Sequence, residues 1–341
     1  MKKTGITKTL GLSAFVLLCM GAGIVMLQGC AVKAAAETVP EQNFSPGTPA
    51  APGIPKVYFT KNISPEALLD IYAALGRKLP GRVAVKLSTG EPGGHHFLDP
   101  ALIKDLVQSV KGVIVESNTA YGGRRANTAM HKQVARDHGF IAIAPVDILD
   151  EEGSLSLPFA KGKNITEDLV GSHFANYDSY LVLSHFKGHA MGGFGGAIKN
   201  ISIGIASSEG KAWIHSGGTS RTNPWGGKQE AFLESMAEAA GAVMNTLGDN
   251  IVYISVMNHL SVDCDCSSNP APPEMDDIGI LASLDPVALD KACVDQVYAS
   301  DTRRSASLRQ RIESRKGMLT LDHAQTLGLG NKAYELVMID G

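Results

Sequence analysis

The densest set of potential ligands in this chain of 341 residues is Asp263-Cys264-Asp265-Cys266. In an extended segment alternate residues share a side, so Cys264 and Cys266 would face one way and the two aspartates the other. Two thiolates on one side can hold a transition metal such as Zn or Fe, given further ligands, and Asp263 is a candidate beside them. A disulfide from either cysteine to Cys293, or free thiols, are the competing uses. The second set is His185-Phe186-Lys187-Gly188-His189. Four residues apart on a helix, the histidines would share a face, but the glycines that follow argue for a loop. There His185, Lys187 and His189 would meet an anionic substrate, with a histidine moving protons. Either histidine could equally be structural.

Residues 188–200 hold five glycines and end near Lys199. Such a loop lets backbone N–H groups approach an anion, so Gly192, Gly193, Gly195, Gly196 and Lys199 are candidate anion ligands. Tight backbone packing is the other use of the same glycines. No Gly-Lys-Ser/Thr follows, and the spacing is not a dinucleotide fingerprint. Lys86, Glu91, His95 and His96 form another polar stretch, in which Lys86 is a candidate anion ligand, as is Asn118 further on, and Glu91 is a general base or a solvated carboxylate. Asn118 precedes Arg124 and Arg125, either of which could clamp a carboxylate or phosphate. Adjacent side chains point apart, so one of the two would reach the ligand, and Arg124 is taken as that one.

Short apolar runs at residues 83–85, 113–115, 141–143, 180–183 and 251–254 read as buried strands. Residues 64–79, 100–110, 128–138 and 228–247 have helical spacing, the first two starting at Ser64-Pro65 and Asp99-Pro100. The alternation predicts an α/β body with a mostly parallel sheet and helices on both faces. Four of the strands are followed by the Lys, His, Asn, Arg and Gly clusters above. In such sheets ligands bind beyond the carboxyl ends of the strands, which implies one shared site there.

Several of these stretches resemble one family. Residues 184–200, Thr119-Ala120-Tyr121-Gly122-Gly123-Arg124-Arg125, Asp263-Cys264-Asp265-Cys266 and residues 276–292 are similar to the motifs of the family called domain of unknown function 362. The resemblance spans about residues 56–341. Many relatives are described as iron–sulfur proteins because they carry an inserted ferredoxin-type Cys run. Here residues 217–250, where that insert is expected, contain no Cys. With Cys30 set aside, three cysteines remain beyond it, one short of a four-Cys cluster, so no iron–sulfur cluster is expected.

The amino terminus reads as an address. Lys2, Lys3 and Lys8 precede an uncharged apolar run, and Leu27-Gln28-Gly29-Cys30 resembles the lipobox of bacterial lipoproteins, which makes Cys30 the acylated residue. Cleavage within residues 32–36 or retention of the run as an anchor are the alternatives. All three place the body outside the cytoplasm, in the cell envelope, and no Arg-Arg pair precedes the run. The organisation expected is a signal at 1–29, a Pro/Ala-rich tether at 30–55 and a body at 56–341. The formal charge of −3 becomes −6 once the three lysines of residues 1–29 are removed. That excludes a basic nucleic-acid footprint and leaves membrane attachment to the acyl chains. With 44% hydrophobic and 19% charged residues, the chain is neither disordered nor a multi-span membrane protein. The function expected is a membrane-tethered, metal-dependent enzyme acting on a small anion, or a lipoprotein that binds metal or anion without turnover.

Overall fold

Three helices start by the same device. Ser64, Asp99 and Asp285 each stand before a proline, and each side chain accepts first-turn backbone N–H groups: Ser64 from Ala67, Asp99 from Ala101, Asp285 from Val287 and Ala288. The proline occupies a position whose N–H has no partner within the helix. The computed structural model describes residues 53–340. In chain order it contains β1 (Lys56–Thr60), α1 (Pro65–Ala74), β2 (Val83–Lys86), α2 (Pro100–Ser109), β3 (Val113–Glu116), α3 (Thr128–Asp137) and β4 (Val146–Ile148). Then follow β5 (Ser154–Pro158), β6 (Glu167–Gly171), β7 (Ser179–His185), β8 (Lys187–His189), β9 (Gly193–Gly195), α4 (Ala197–Ile201), α5 (Ser208–His215) and α6 (Gln229–Leu247). The chain closes with β10 (Ile251–Met257), β11 (Gly279–Ser283), α7 (Pro286–Ala299), α8 (Ala306–Ser314), α9 (Met318–Thr326) and β12 (Glu335–Met338).

The main sheet has eight strands in the order β12-β1-β11-β10-β7-β2-β3-β4. Strand β11 runs antiparallel to both its neighbours, and every other pairing is parallel. The strands are apolar on both faces because helices cover both. On one face Val83 and Val85 of β2 and Leu181 and Leu183 of β7 pack on α1 and α2. On the other, Ala84, Tyr180 and Val182 pack with residues of α4, α6 and α7. The α/β architecture with a mostly parallel sheet between helical layers is therefore present.

From β2 the chain steps outward through β3 to β4, then returns to the other side of β2 as β7 and continues to β10. The strand order reverses between β2 and β7, which is where open α/β sheets bind ligands. Two local expectations need correction. Residues 141–143 are not a strand: Gly139 ends α3 in a left-handed conformation (φ +86°) and Phe140–Ala142 coil into a 3-10 turn. The edge strand forms later, after Pro145, as β4. Helix α1 stops at Ala74 rather than 79, where Gly76 adopts φ +64° just past its end. The signal segment, Cys30 and most of the tether lie outside the described residues. Among the described residues no helix is long and apolar enough to cross a membrane.

Candidate functional site

The four strands whose carboxyl ends carry the polar clusters, β10, β7, β2 and β3, are consecutive in the sheet. Above them lies a cavity of about 120 Å³. Lys86 and Ser88 reach it from the end of β2, Glu116 and Ser117 from β3, Ser184 and His185 from β7, and Cys264, Asp265 and Cys266 from the loop after β10. The short hairpin β8-β9 and helix α4 supply Lys187, His189, Gly195, Gly196 and Lys199, and α5 supplies Lys211. Lys86, Arg125, Lys187, Lys199 and Lys211 thus face only Glu116 and Asp265 as lining carboxylates. An acidic chain has gathered a cationic pocket.

Both carboxylates are spent on the protein itself. Glu116 accepts from Lys86 Nζ (3.1 Å), the Thr89 N–H (2.8 Å) and Arg125 Nη1 (3.4 Å). Burial opposes its ionisation, but Lys86, His131 and Arg125 outweigh that and hold its carboxyl well below the usual range. Arg125 also binds Glu91 through Nε at 2.6 Å. Asp265 accepts from Lys187 Nζ at 2.7 Å and lies 2.9 Å from His185 Nδ1, while the other nitrogen of His185 lies 2.8 Å from the Asn258 carbonyl oxygen. Lys187 donates as well to the His96 carbonyl oxygen. Both ring nitrogens of His185 are therefore taken, and Lys187 has committed two of its three N–H donors.

Lys199 differs. It lines the cavity, and no acceptor among the described residues hydrogen-bonds its ammonium. Burial, reinforced by Lys86 and Arg125, brings its pKa down to about 8. Lys211 is also lowered to about 8 by burial, but its ammonium donates to the Ala206 carbonyl oxygen at 2.5 Å. His189 is buried, and that burial, with Lys199 and His215 near by, holds it well below its ordinary pKa. Its Nδ1 accepts the Gly192 N–H at 2.8 Å, so the neutral ring carries its proton on Nε2.

Part of the glycine loop's backbone is held by the protein itself. The N–H groups that open α4, those of Ala197 and Ile198, are held by the Asp290 carboxylate at 2.6 and 3.0 Å. A Cβ on Gly196 would lie 2.2 Å from Asp290 Oδ1, so glycine is required for that approach. Gly193, at φ +83°, packs against Gly317, and Gly192 sits against His189 and Met236. Of the four glycines, Gly195 and Gly196 border the cavity.

The metal-ligand expectation also changes. Cys264 and Cys266 are bonded to each other, and Cys293 is buried and free on α7, so neither pairing with Cys293 occurs. The segment turns rather than extends, with Ser267 N–H bonded to the Cys264 carbonyl oxygen. Asp265 consequently joins the cysteines at the cavity, and Asp263 points away to Arg311 (3.3 Å) and the Ala271 N–H (3.1 Å). His189 is the third donor: one ligand atom from each of His189, Cys264 and Cys266 fit within 4.8 Å of one another. This is a group with the donor types of a metal site, but without Asp263.

Asn118 and Arg124 are not brought to the cavity. Asn118 bonds Thr128 and contacts His131 beneath the loop. Arg124 is half exposed and 3.7 Å from Asp137, while its neighbour Arg125 turns inward. Three residues of the site were not anticipated. Glu116 ends Val-Ile-Val-Glu as Lys86 ends Val-Ala-Val-Lys, and a charge closing an apolar strand was the signal for both. Lys211 and His215 lie on α5, which bears no motif.

Fold and site together define an α/β protein whose pocket lies where the strand order reverses. Residues 83–295 match the family described as Domain of unknown function (DUF362), and the chain belongs to that family. No curated protein matches the chain. Similar solved structures include the lactate racemase apoprotein from Thermoanaerobacterium thermosaccharolyticum, at 14% identity and TM-score 0.37 over 59% of this chain and 50% of that one. A structural-genomics protein from Thermotoga maritima is similar at 12% identity and TM-score 0.40, over 69% of this chain and 58% of that one. The chain spans about half the length of the racemase apoprotein.

Proposed function

We propose that this protein is a membrane-tethered enzyme of the cell envelope that takes a small anion, a carboxylate or phosphate, into the cationic pocket and acts on it with the help of a transition metal. One observation carries the reading: Lys199 lines the cavity with no protein acceptor, while both lining carboxylates are already paired. A half-buried cation without a partner is disfavoured, and an anionic ligand would relieve that cost. Lys199 binds the anion by a charge-assisted hydrogen bond, and Lys211 adds to the positive potential around it. With the Cys264–Cys266 bond reduced, Cys264, Cys266 and His189 would be the donors suited to Zn or Fe, and the metal would supply Lewis-acid polarisation of a substrate oxygen.

Calorimetry of the full-length protein against orthophosphate and short dicarboxylates tests the anion reading. Binding that weakens on Lys199→Gln supports it, and binding of none of these anions overturns it. A second reading, capture without turnover, is favoured by the structural hydrogen bonds of His185 and Lys187, two of the three side chains expected to take part in chemistry. Recovery of every bound anion chemically unchanged after prolonged incubation with metal-loaded protein would favour it.

A further inference from the structure

The two cysteines that could hold a metal are bonded to each other within the cavity wall. A thiolate is the metal ligand, and a sulfur in a disulfide carries no thiolate charge. The remaining donor is committed too, since His189 Nδ1 accepts the Gly192 N–H. As described, the group is closed to metal. The loop around it is held independently of the disulfide. Arg311 binds the Val262 carbonyl oxygen and Asp263, the Glu91 N–H binds the Asp265 carbonyl oxygen, and the Asp265 side chain is fixed by His185 and Lys187. Cleavage of the bond would therefore leave both sulfurs facing His189. Both cysteines are half-buried and border the cavity, so a small reductant can reach them.

The geometry points to a thiol gate: the Cys264–Cys266 bond and a bound transition metal are alternatives at the same side chains, and a dithiol reductant converts one state into the other. The proposal rests on the metal-site reading above and adds its regulation. In the opening step a thiolate of the dithiol attacks one cysteine sulfur, forming a mixed disulfide and releasing the other as a thiolate. The second thiol of the reductant then closes on the first as its own disulfide and releases the remaining cysteine. The protein gains two electrons and two protons, and the reductant loses them. Divalent metal then displaces the two thiol protons, with His189 exchanging the Gly192 N–H for the metal.

Full-length protein prepared in two forms tests this, one as the disulfide and one reduced with dithiothreitol that is then removed without oxygen. Each is titrated with Co²⁺ and followed by the thiolate-to-cobalt absorption band and by metal analysis. The reduced form is expected to take up about one Co²⁺ with that band and the disulfide form none. An oxidised dithiol should then release the metal. Cys293→Ser should behave as the parent, while Cys264→Ser and Cys266→Ser, made separately, should both lose the band. Equal uptake by the two forms, no uptake by the reduced form, or a band that survives either serine variant overturns the gate. Phosphate calorimetry on the disulfide form separates the two readings. Equal cobalt uptake by both forms defeats the gate alone, no cobalt uptake by either form defeats the metal-site reading with it, and cobalt uptake by the reduced form alone without phosphate binding defeats the anion reading alone.

Discussion

Asp290 and Lys199 sit at opposite sides of one short helix, and the structure treats them in opposite ways. Asp290 enters beneath the glycine loop and takes the two N–H groups that open α4, so this end of the loop is neutralised from within. Lys199, two residues into the same helix, points to the cavity and meets no acceptor. The glycine loop has the composition of an anion cradle, but its Gly192, Ala197 and Ile198 N–H groups are taken by His189 and Asp290. The ligand-directed charge comes from a side chain instead. The general point is that a donor counts toward a site only after the protein's own acceptors have been subtracted.

The saturated side of this contrast should break hardest. Glu116 is the counter-charge for buried Lys86 and Arg125, and Glu116→Ala leaves both cations with less than they need. Removing one partner of a buried ion pair costs about 3–5 kcal/mol, so urea unfolding should show a loss of that size. A loss under about 1 kcal/mol would mean that Glu116 is not the hub. Asp290→Ala should come next. It strands two buried N–H groups, at about 1–3 kcal/mol each, with partial relief because burial already raises the Asp290 pKa to about 7. If that variant unfolds like the parent, the loop's N–H groups are not held as described.

The open side should respond in binding rather than stability. Lys199→Met removes a half-buried cation that lacks a partner, so unfolding should be unchanged or slightly harder. Anion affinity should fall about tenfold to a hundredfold, the worth of one charge-assisted hydrogen bond. A destabilised Lys199→Met with intact anion binding would invert the comparison. The pH dependence follows from the same residue. Burial lowers the Lys199 pKa to about 8, so the charged form prevails below that value and is lost above it. Orthophosphate binding should therefore be strongest near pH 7 and decline as pH rises through about 8, and Lys199→Met should flatten that decline to the smaller part that belongs to Lys211, which burial also brings to about 8.

Much of the frame was legible in the residues. Runs such as Val-Ala-Val-Lys and Val-Ile-Val-Glu announce buried strands, and Ser64-Pro65 and Asp99-Pro100 announce helix starts. Strand β11 was not legible as antiparallel, because direction is set by the connection from β10 and by pairing with β1, not by its own residues. The site followed the same division. That four strand ends would share a pocket followed from their polar tails, since parallel strands place those tails on one edge. Which side chains enter it did not follow. Asp263 and Asp265 exchange roles because a turn at residues 264–267 undoes strand alternation. Asp290 and Lys211 reach the loop and the cavity only through the packing of α7 and α5, which no spacing encodes.

The smallest expected effect tests the finest of these distinctions, the choice between two adjacent arginines. Arg125 lies under the loop, paired with Glu91 and Glu116, whereas Arg124 is half exposed and loosely opposite Asp137. Surface ion pairs of the second kind are worth about 0–1 kcal/mol, and their loss is often below detection. Arg124→Ala should therefore shift unfolding by less than about 0.5 kcal/mol and leave orthophosphate affinity unaltered. Arg125→Ala, by contrast, removes the partner of Glu91 and should cost stability on the scale of Glu116→Ala. The pair is informative because the two residues share chemistry, sequence position and loop, and differ only in the side of the backbone from which they project. If Arg124→Ala weakened anion binding, the loop at residues 119–126 would have to close over the cavity when a ligand arrives, and the contrast between Asp290 and Lys199 would no longer describe the whole site.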